Sequence, residues 1–171
     1  VRAEVRELDP ATENFVEVVD FEVQADGSRP PEYNEVIEQS DTRYRIDVAE
    51  GVTSWQIITA LNAIEVLEAP IEGVPPDGSL APFSYEIEAG DSRLGLLEQM
   101  RDVQRTRLAA AWEARNPDVP LADPAEVLIL ASIIEKETGQ ADERPQVASV
   151  FVNRIRRGMR LQTDPTVIYG I

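Results

Sequence analysis

The 171 residues of this chain include no cysteine and no histidine, and a single lysine, Lys136. Each absence removes chemistry. Without cysteine there is no disulfide and no thiolate nucleophile or ligand. Without histidine there is no Ser-His-Asp or Cys-His relay, and the usual zinc-binding side chains are gone as well. No metal and no other cofactor is expected. Carboxylate acid/base work, a Ser–Lys pair, or binding without catalysis remain. Long hydrophobic runs are also missing. The longest mostly apolar stretch, residues 127–134, has 8 residues, against the ~20 that span a bilayer. The start carries no secretory signal. It begins at Val1 rather than Met, so a piece of a longer protein is expected, with a membrane anchor upstream.

Carboxylates are plentiful, and they are unevenly placed. The net charge is −16, and residues 1–100 hold 22 acids against 6 arginines, while residues 101–171 hold ten acids and ten bases. The acidic part should repel nucleic acid and anionic lipid headgroups, and its plainest role is a solvated surface. A hydrophobic content of 43% is enough for a core in one large domain or two small ones.

Periodicity predicts an α+β chain. Val1, Ala3 and Val5 alternate with charged residues, as do Val19, Phe21 and Val23, and Asp9-Pro10 opens a turn between them. This predicts a β-hairpin over residues 1–23. Residues 24–34, with Asp26-Gly27-Ser28 and Pro30-Pro31, look like a linker, which sets a first segment at 1–42. A second unit is expected over 43–90. Tyr44, Ile46 and Val48 alternate as a strand, Thr53 and Gln56 match a capping box, Ile57, Ile58, Leu61 and Ile64 keep helical spacing, residues 70–82 form a loop, and Tyr85 and Ile87 alternate as a second strand.

The third segment, 91–171, should be mainly helical. Asp91 can cap a long helix with Leu94, Leu97, Met100, Val103, Leu108 and Trp112 inward, stopped by Asn116-Pro117. Asp123-Pro124-Ala125-Glu126 is a strong start signal. The helix it opens is apolar on nearly every face and is expected to be central and buried, with Gly139 at its C′ position. Another helix is expected from about Glu143 to Arg157, with Val147, Val150, Phe151 and Ile155 inward, before Gly158. Asp164-Pro165 resembles a further N-cap and first-turn proline.

The end of the apolar helix carries Glu135, Lys136 and Glu137. An apolar helix can present a carboxylate as a proton donor, because burial disfavours the charged form. Both glutamates lean on apolar neighbours, and spacing does not choose between them; a solvated helix end is the plain alternative. Ser132 and Lys136, at i and i+4, could pair as nucleophile and base, but a serine within an apolar helix usually bonds back to its own backbone. Arg154, Arg156, Arg157 and Arg160 form a basic cluster that suits either the helix dipole or the carboxylates of an anionic polymer. Gln162, Thr163, Asp164 and Tyr169 are polar groups on a loop after the helices. They could line a substrate groove and hydrogen-bond sugar hydroxyls, and Asp164 could serve as a cap alone.

Three stretches resemble a known family: Ala131-Ser132-Ile133-Ile134-Glu135-Lys136-Glu137-Thr138; Glu143-Arg144 with Val147-Ala148-Ser149-Val150-Phe151-Val152-Asn153-Arg154; and Gly158-Met159-Arg160-Leu161-Gln162-Thr163-Asp164-Pro165-Thr166-Val167-Ile168-Tyr169-Gly170. They are similar to the YceG-like endolytic murein transglycosylases over about 40 residues. Residues 49–57 resemble the glycine turn and helix of that family's LysM-like module. Where the family usually has Pro-Asp-Thr-Tyr, this chain has Pro82-Phe83-Ser84-Tyr85.

The resemblance implies a LysM-like unit at 43–90 and the first part of a catalytic domain at 91–171, with the family continuing beyond residue 171. The isolated chain is therefore expected to fold yet turn over substrate poorly. The resemblance also implies cleavage of peptidoglycan glycan strands with Glu135 as catalytic acid/base, and a single-pass anchor in the bacterial cytoplasmic membrane with this region on its outer face. Peptidoglycan synthases are implied as partners. The rival expectations are a non-catalytic peptidoglycan-binding or scaffold module and a Ser–Lys acyl hydrolase.

Overall fold

The computed structural model describes residues 2–9, 11–22, 30–37, 43–164 and 166. They form an α+β chain in two compact units, residues 1–102 and 103–171. Val1 and Val23 lie outside the described residues. Strands β1 (Arg2–Asp9) and β2 (Asn14–Glu22) pair antiparallel, with a register shift between Val5 and Arg6. Asp9 builds the turn: its carboxylate accepts from the Ala11 amide and from the Thr12 hydroxyl, both at 2.8 Å. Those bonds hold the Asp9 carboxyl below its usual value. Residues 24–29 of the predicted linker lie outside the described residues, and Pro31, expected in that linker, instead starts a short helix, α1 (Pro31–Ile37). Proline's fixed φ suits a first helical position, where its missing N–H costs nothing.

Strand β3 (Arg43–Asp47) pairs antiparallel with β4 (Ser84–Glu88), Ile46 lying opposite Tyr85. Between them runs α2 (Ser54–Asn62), opened by the capping box that the sequence predicts: Thr53 accepts from the Gln56 amide, and Gln56 accepts from the Thr53 amide at 2.8 Å. Thr53→Ala should cost about 1 kcal/mol, measured as a lower midpoint in chemical denaturation with an unchanged slope. Ile57, Ile58 and Leu61 face a core shared with Tyr85, Ile87, Leu96, Leu97 and Met100.

The long connection after α2 is irregular but anchored. The Asn62 side-chain amide donates to the Ile71 carbonyl and accepts from the Ile71 amide, doing for the loop what a strand partner would do. Asp77 accepts from the Ser54 amide at 2.7 Å, at the positive end of α2. Leu67, Ile71, Leu80 and Ala81 are buried along this connection.

Helix α3 (Arg93–Glu113) begins one residue away from its predicted cap. Ser92 accepts from the Gly95 amide, whereas Asp91 accepts from the Glu88 amide and closes the turn after β4. Leu94, expected inward, is 51% exposed, and Leu96 is buried in its place. Arg93, which no sequence pattern singles out, is 6% exposed and donates to the carbonyls of Leu61, Ile64, Leu67 and Ala69. Beyond α3, the Arg115 guanidinium stacks 3.5 Å from the centre of the Trp112 ring.

In the second unit, α4 (Pro124–Glu137) starts at Asp123, whose side chain accepts from the Glu126 amide at 3.0 Å. It packs on α5 (Arg144–Arg156) through Leu130, Ile133 and Phe151, with Leu121, Ile134, Val147 and Leu161 around them. The expectation of an all-round buried helix is corrected: Ile129 is 58% exposed, and Ala131 and Ser132 are exposed too. Within this unit α4 has neighbours on one side, so one apolar stripe is covered. No helix among the described residues is long and apolar enough to cross a membrane.

Candidate active site

The end of α4 differs from its predicted form. Gly139 does not take a left-handed conformation; Thr138 ends the helix in extended backbone, φ −145°. Thr138 is buried. Its hydroxyl donates to Glu143 at 2.8 Å and accepts from the Gln140 amide at 3.1 Å. A side chain thus supplies the turn bonds that a glycine cap would have supplied through the backbone. The result is a fixed passage from the last turn of α4 into the first turn of α5.

That passage carries Arg144. Its Nη2 lies 3.1 Å from Oε2 of Glu135 and donates to Oε1 at 3.3 Å. Both side chains are about two-fifths exposed, 40% for Arg144 and 39% for Glu135, so the Glu135 carboxylate is held yet reachable. Glu137 leaves the helix in another direction, as residues two apart on a helix must. Its Oε1 accepts a hydrogen bond from the hydroxyl of Thr163, a residue 26 positions along the chain.

Thr163 belongs to the loop that follows α5. Gly158 ends that helix at φ 64°, a left-handed conformation that glycine adopts without penalty. The loop is then pinned by Arg154, which donates to the Leu161 carbonyl while its own carbonyl accepts from the Met159 amide at 2.9 Å. Gln162 has φ 52°, strained for a residue with a side chain. The chain turns there so that Thr163 points inward, 8% exposed, between exposed Gln162 and Asp164. Asp164 already lies in the helical turn that follows, and Thr163 is the residue before it, accepting from the Thr166 amide at 3.0 Å.

Glu137, Val147, Val150, Phe151, Arg154, Gln162, Thr163 and Asp164 line one open groove of about 390 Å³. Of the residues singled out from the sequence, the structure therefore gathers Arg154, Gln162, Thr163 and Asp164 here. Arg160 is exposed and outside the lining, Arg156 donates to the Asp118 carbonyl at 2.9 Å, and Tyr169 lies outside the described residues. Glu135, paired with Arg144, is not among the residues that line the groove.

Ser132 donates to the Ile129 carbonyl at 2.8 Å, which uses its hydroxyl within its own helix. A Ser–Lys relay gains no contact from the fold. Among the described residues no cluster of three or more Asp, Glu, His or Cys could hold a metal ion.

Arg144 is the site residue that sequence reasoning passed over. Its distance of nine positions from Glu135 follows no helical or strand rule. Its place in the Glu143-Arg144 stretch that carries the family resemblance was the available signal.

The sequence model of the YceG-like family matches residues 17–171. A Bacillus subtilis protein named endolytic murein transglycosylase is 50% identical over 96 residues, 56% of this chain and 26% of that protein. A Streptococcus pneumoniae protein of the same name is 29% identical over 97 residues, 55% of this chain and 17% of that protein. The matched stretch is thus at most about a quarter of the length of these relatives.

Proposed function

The chain belongs to the YceG-like family, and on that premise we propose that it takes part in endolytic, non-hydrolytic cleavage of peptidoglycan glycan strands, with Glu135 as the general acid/base. The observation that carries this reading is the end of α4: a reachable carboxylate on a fixed guanidinium partner, two residues from Glu137, which lines a groove of mixed polar and apolar side chains. The names of the relatives support the same substrate.

The bond cleaved joins C1 of N-acetylmuramic acid to O4 of N-acetylglucosamine. Glu135, protonated, gives its proton to O4 as the C1–O4 bond breaks. The carboxylate then removes the proton from the muramic acid's own 6-hydroxyl, and O6 bonds to C1. The product is a 1,6-anhydro ring, no water is consumed, and Glu135 ends protonated as it began. Ordinary glycosidases need a second carboxylate to activate water or to serve as nucleophile. Here the nucleophile belongs to the substrate, so one acid/base residue is enough if the strand is well held. Arg144 fixes the direction of the carboxylate.

We place the protein on the outer face of the bacterial cytoplasmic membrane, anchored through a segment outside this sequence. There it would end or remodel glycan strands beside the synthases that make them. The rival reading, a peptidoglycan-binding module without catalysis, parts from this one in the products. Mass spectrometry of peptidoglycan digested by the full-length protein should show 1,6-anhydromuramic ends. Reducing ends, or undigested strands with intact binding, would overturn the proposal.

A further inference from the structure

We propose that Glu137, oriented by Thr163, contacts the substrate: its carboxylate accepts a hydrogen bond from a hydroxyl of the glycan bound in the groove. The inference rests on the glycan-cleaving reading above. It adds to Glu135 a second carboxylate with a different task.

Three observations converge. Glu137 lines the groove, and Glu135 does not. Its Oε1 is taken by the Thr163 hydroxyl, and an ionised carboxylate has acceptor capacity beyond one such bond, with no donor of its own. Thr163 is buried and is turned inward by the strained backbone of Gln162. Strain of this kind is kept where the surroundings over-determine it, and it collects at functional sites.

The rest of the groove suits a sugar. Val147, Val150 and Phe151 give it an apolar side, and Val150 is 47% exposed, an uncovered surface that the C–H face of a pyranose ring can meet. Asp164 adds a second acceptor and Arg154 a donor on the polar side. Anchoring from both helices, by Glu137 on α4 and Arg154 on α5, keeps the loop in one geometry. Such a site can orient a ring before reaction, which is what an intramolecular attack requires.

The test measures binding apart from turnover. Protein carrying Glu135→Gln is titrated calorimetrically with N-acetylglucosamine–N-acetylmuramic acid oligosaccharides. Adding Glu137→Gln should weaken binding about tenfold, the usual size for losing a hydrogen bond to a charged group. Thr163→Val should weaken it about threefold or more, and the double variant should be no worse than Glu137→Gln alone, because Thr163 acts through Glu137. In protein with Glu135 intact, Glu137→Gln should raise KM while kcat falls less than about threefold.

Binding unchanged in Glu137→Gln, with helicity intact by circular dichroism, overturns the proposal, as do fully additive losses in the double variant. If Glu137→Gln fails to fold, unchanged binding in Glu137→Asp or Thr163→Val overturns it. Missing anhydro products from the unsubstituted protein would sink the catalytic reading while leaving these binding results to stand or fall alone.

Discussion

Glu135→Gln should lower the rate of anhydro-product formation by at least about 100-fold while leaving the fold in place. The amide is nearly the same size as the carboxyl. It can still accept from Arg144, which bonds both Glu135 oxygens in the native site, so the passage between α4 and α5 should survive. What is lost is the capacity to give a proton to the leaving oxygen and take one from the 6-hydroxyl, and both steps depend on that one group. Glu137→Gln should be much milder in kcat, with its effect in KM. The check is a rate series on isolated glycan strands with the full-length protein and its variants, with circular dichroism on each. Turnover at the unsubstituted rate in Glu135→Gln would remove it from the mechanism. Equal collapse of kcat in both well-folded variants would mean that the two acids act as a unit.

The largest effect on stability should come from Arg93→Met. Methionine keeps about the same apolar stem, but it is shorter and has no donors. The carbonyls of Leu61, Ile64, Leu67 and Ala69 all receive hydrogen bonds from the Arg93 guanidinium. They sit at the end of α2 and along the following turn, where carbonyl groups have run out of helical partners. The positive charge also complements the negative end of α2. Taking the guanidinium donors away from these buried and part-buried carbonyls should cost about 3 kcal/mol, read as a fall in the urea midpoint of the first unit. Arg93→Lys should recover part of this, since one ammonium cannot reach four carbonyls set around a planar fork. A loss under about 1 kcal/mol for Arg93→Met would show that water replaces the guanidinium freely.

Where signals and partners lay within a few positions of each other, the sequence was legible. The hairpin turn at Asp9, the Thr53–Gln56 box and the Asp123-Pro124 start each depend on contacts spanning four residues or fewer. The inward faces of β3, β4 and α2 followed from alternation and helical spacing, and Ile46, Tyr85, Ile87, Ile57, Ile58 and Leu61 are buried accordingly. Errors arose where two local readings competed. Asp91 and Ser92 are both good caps, and the choice went to serine because Asp91 was engaged by the end of β4. Gly139 does lie at the position after the cap of α4, as expected, but Thr138 makes the turn through Glu143 in place of a left-handed glycine.

By itself, then, the sequence determined the elements, their caps and the presence of two carboxylates at the end of α4. It excluded histidine and cysteine chemistry from the side chains of these 171 residues, because that exclusion needs no geometry. Tertiary structure alone decided what each carboxylate meets. Glu135 finds Arg144 nine residues on, and Glu137 finds Thr163 twenty-six residues on, through a loop bent at Gln162. The four carbonyls held by Arg93 lie 24 to 32 residues before it. Pairings of this kind are fixed by how helices and loops pack, and no periodic pattern records them. A hydrogen bond needs its partner within about 3 Å in space, whereas sequence patterns report only neighbours along the chain.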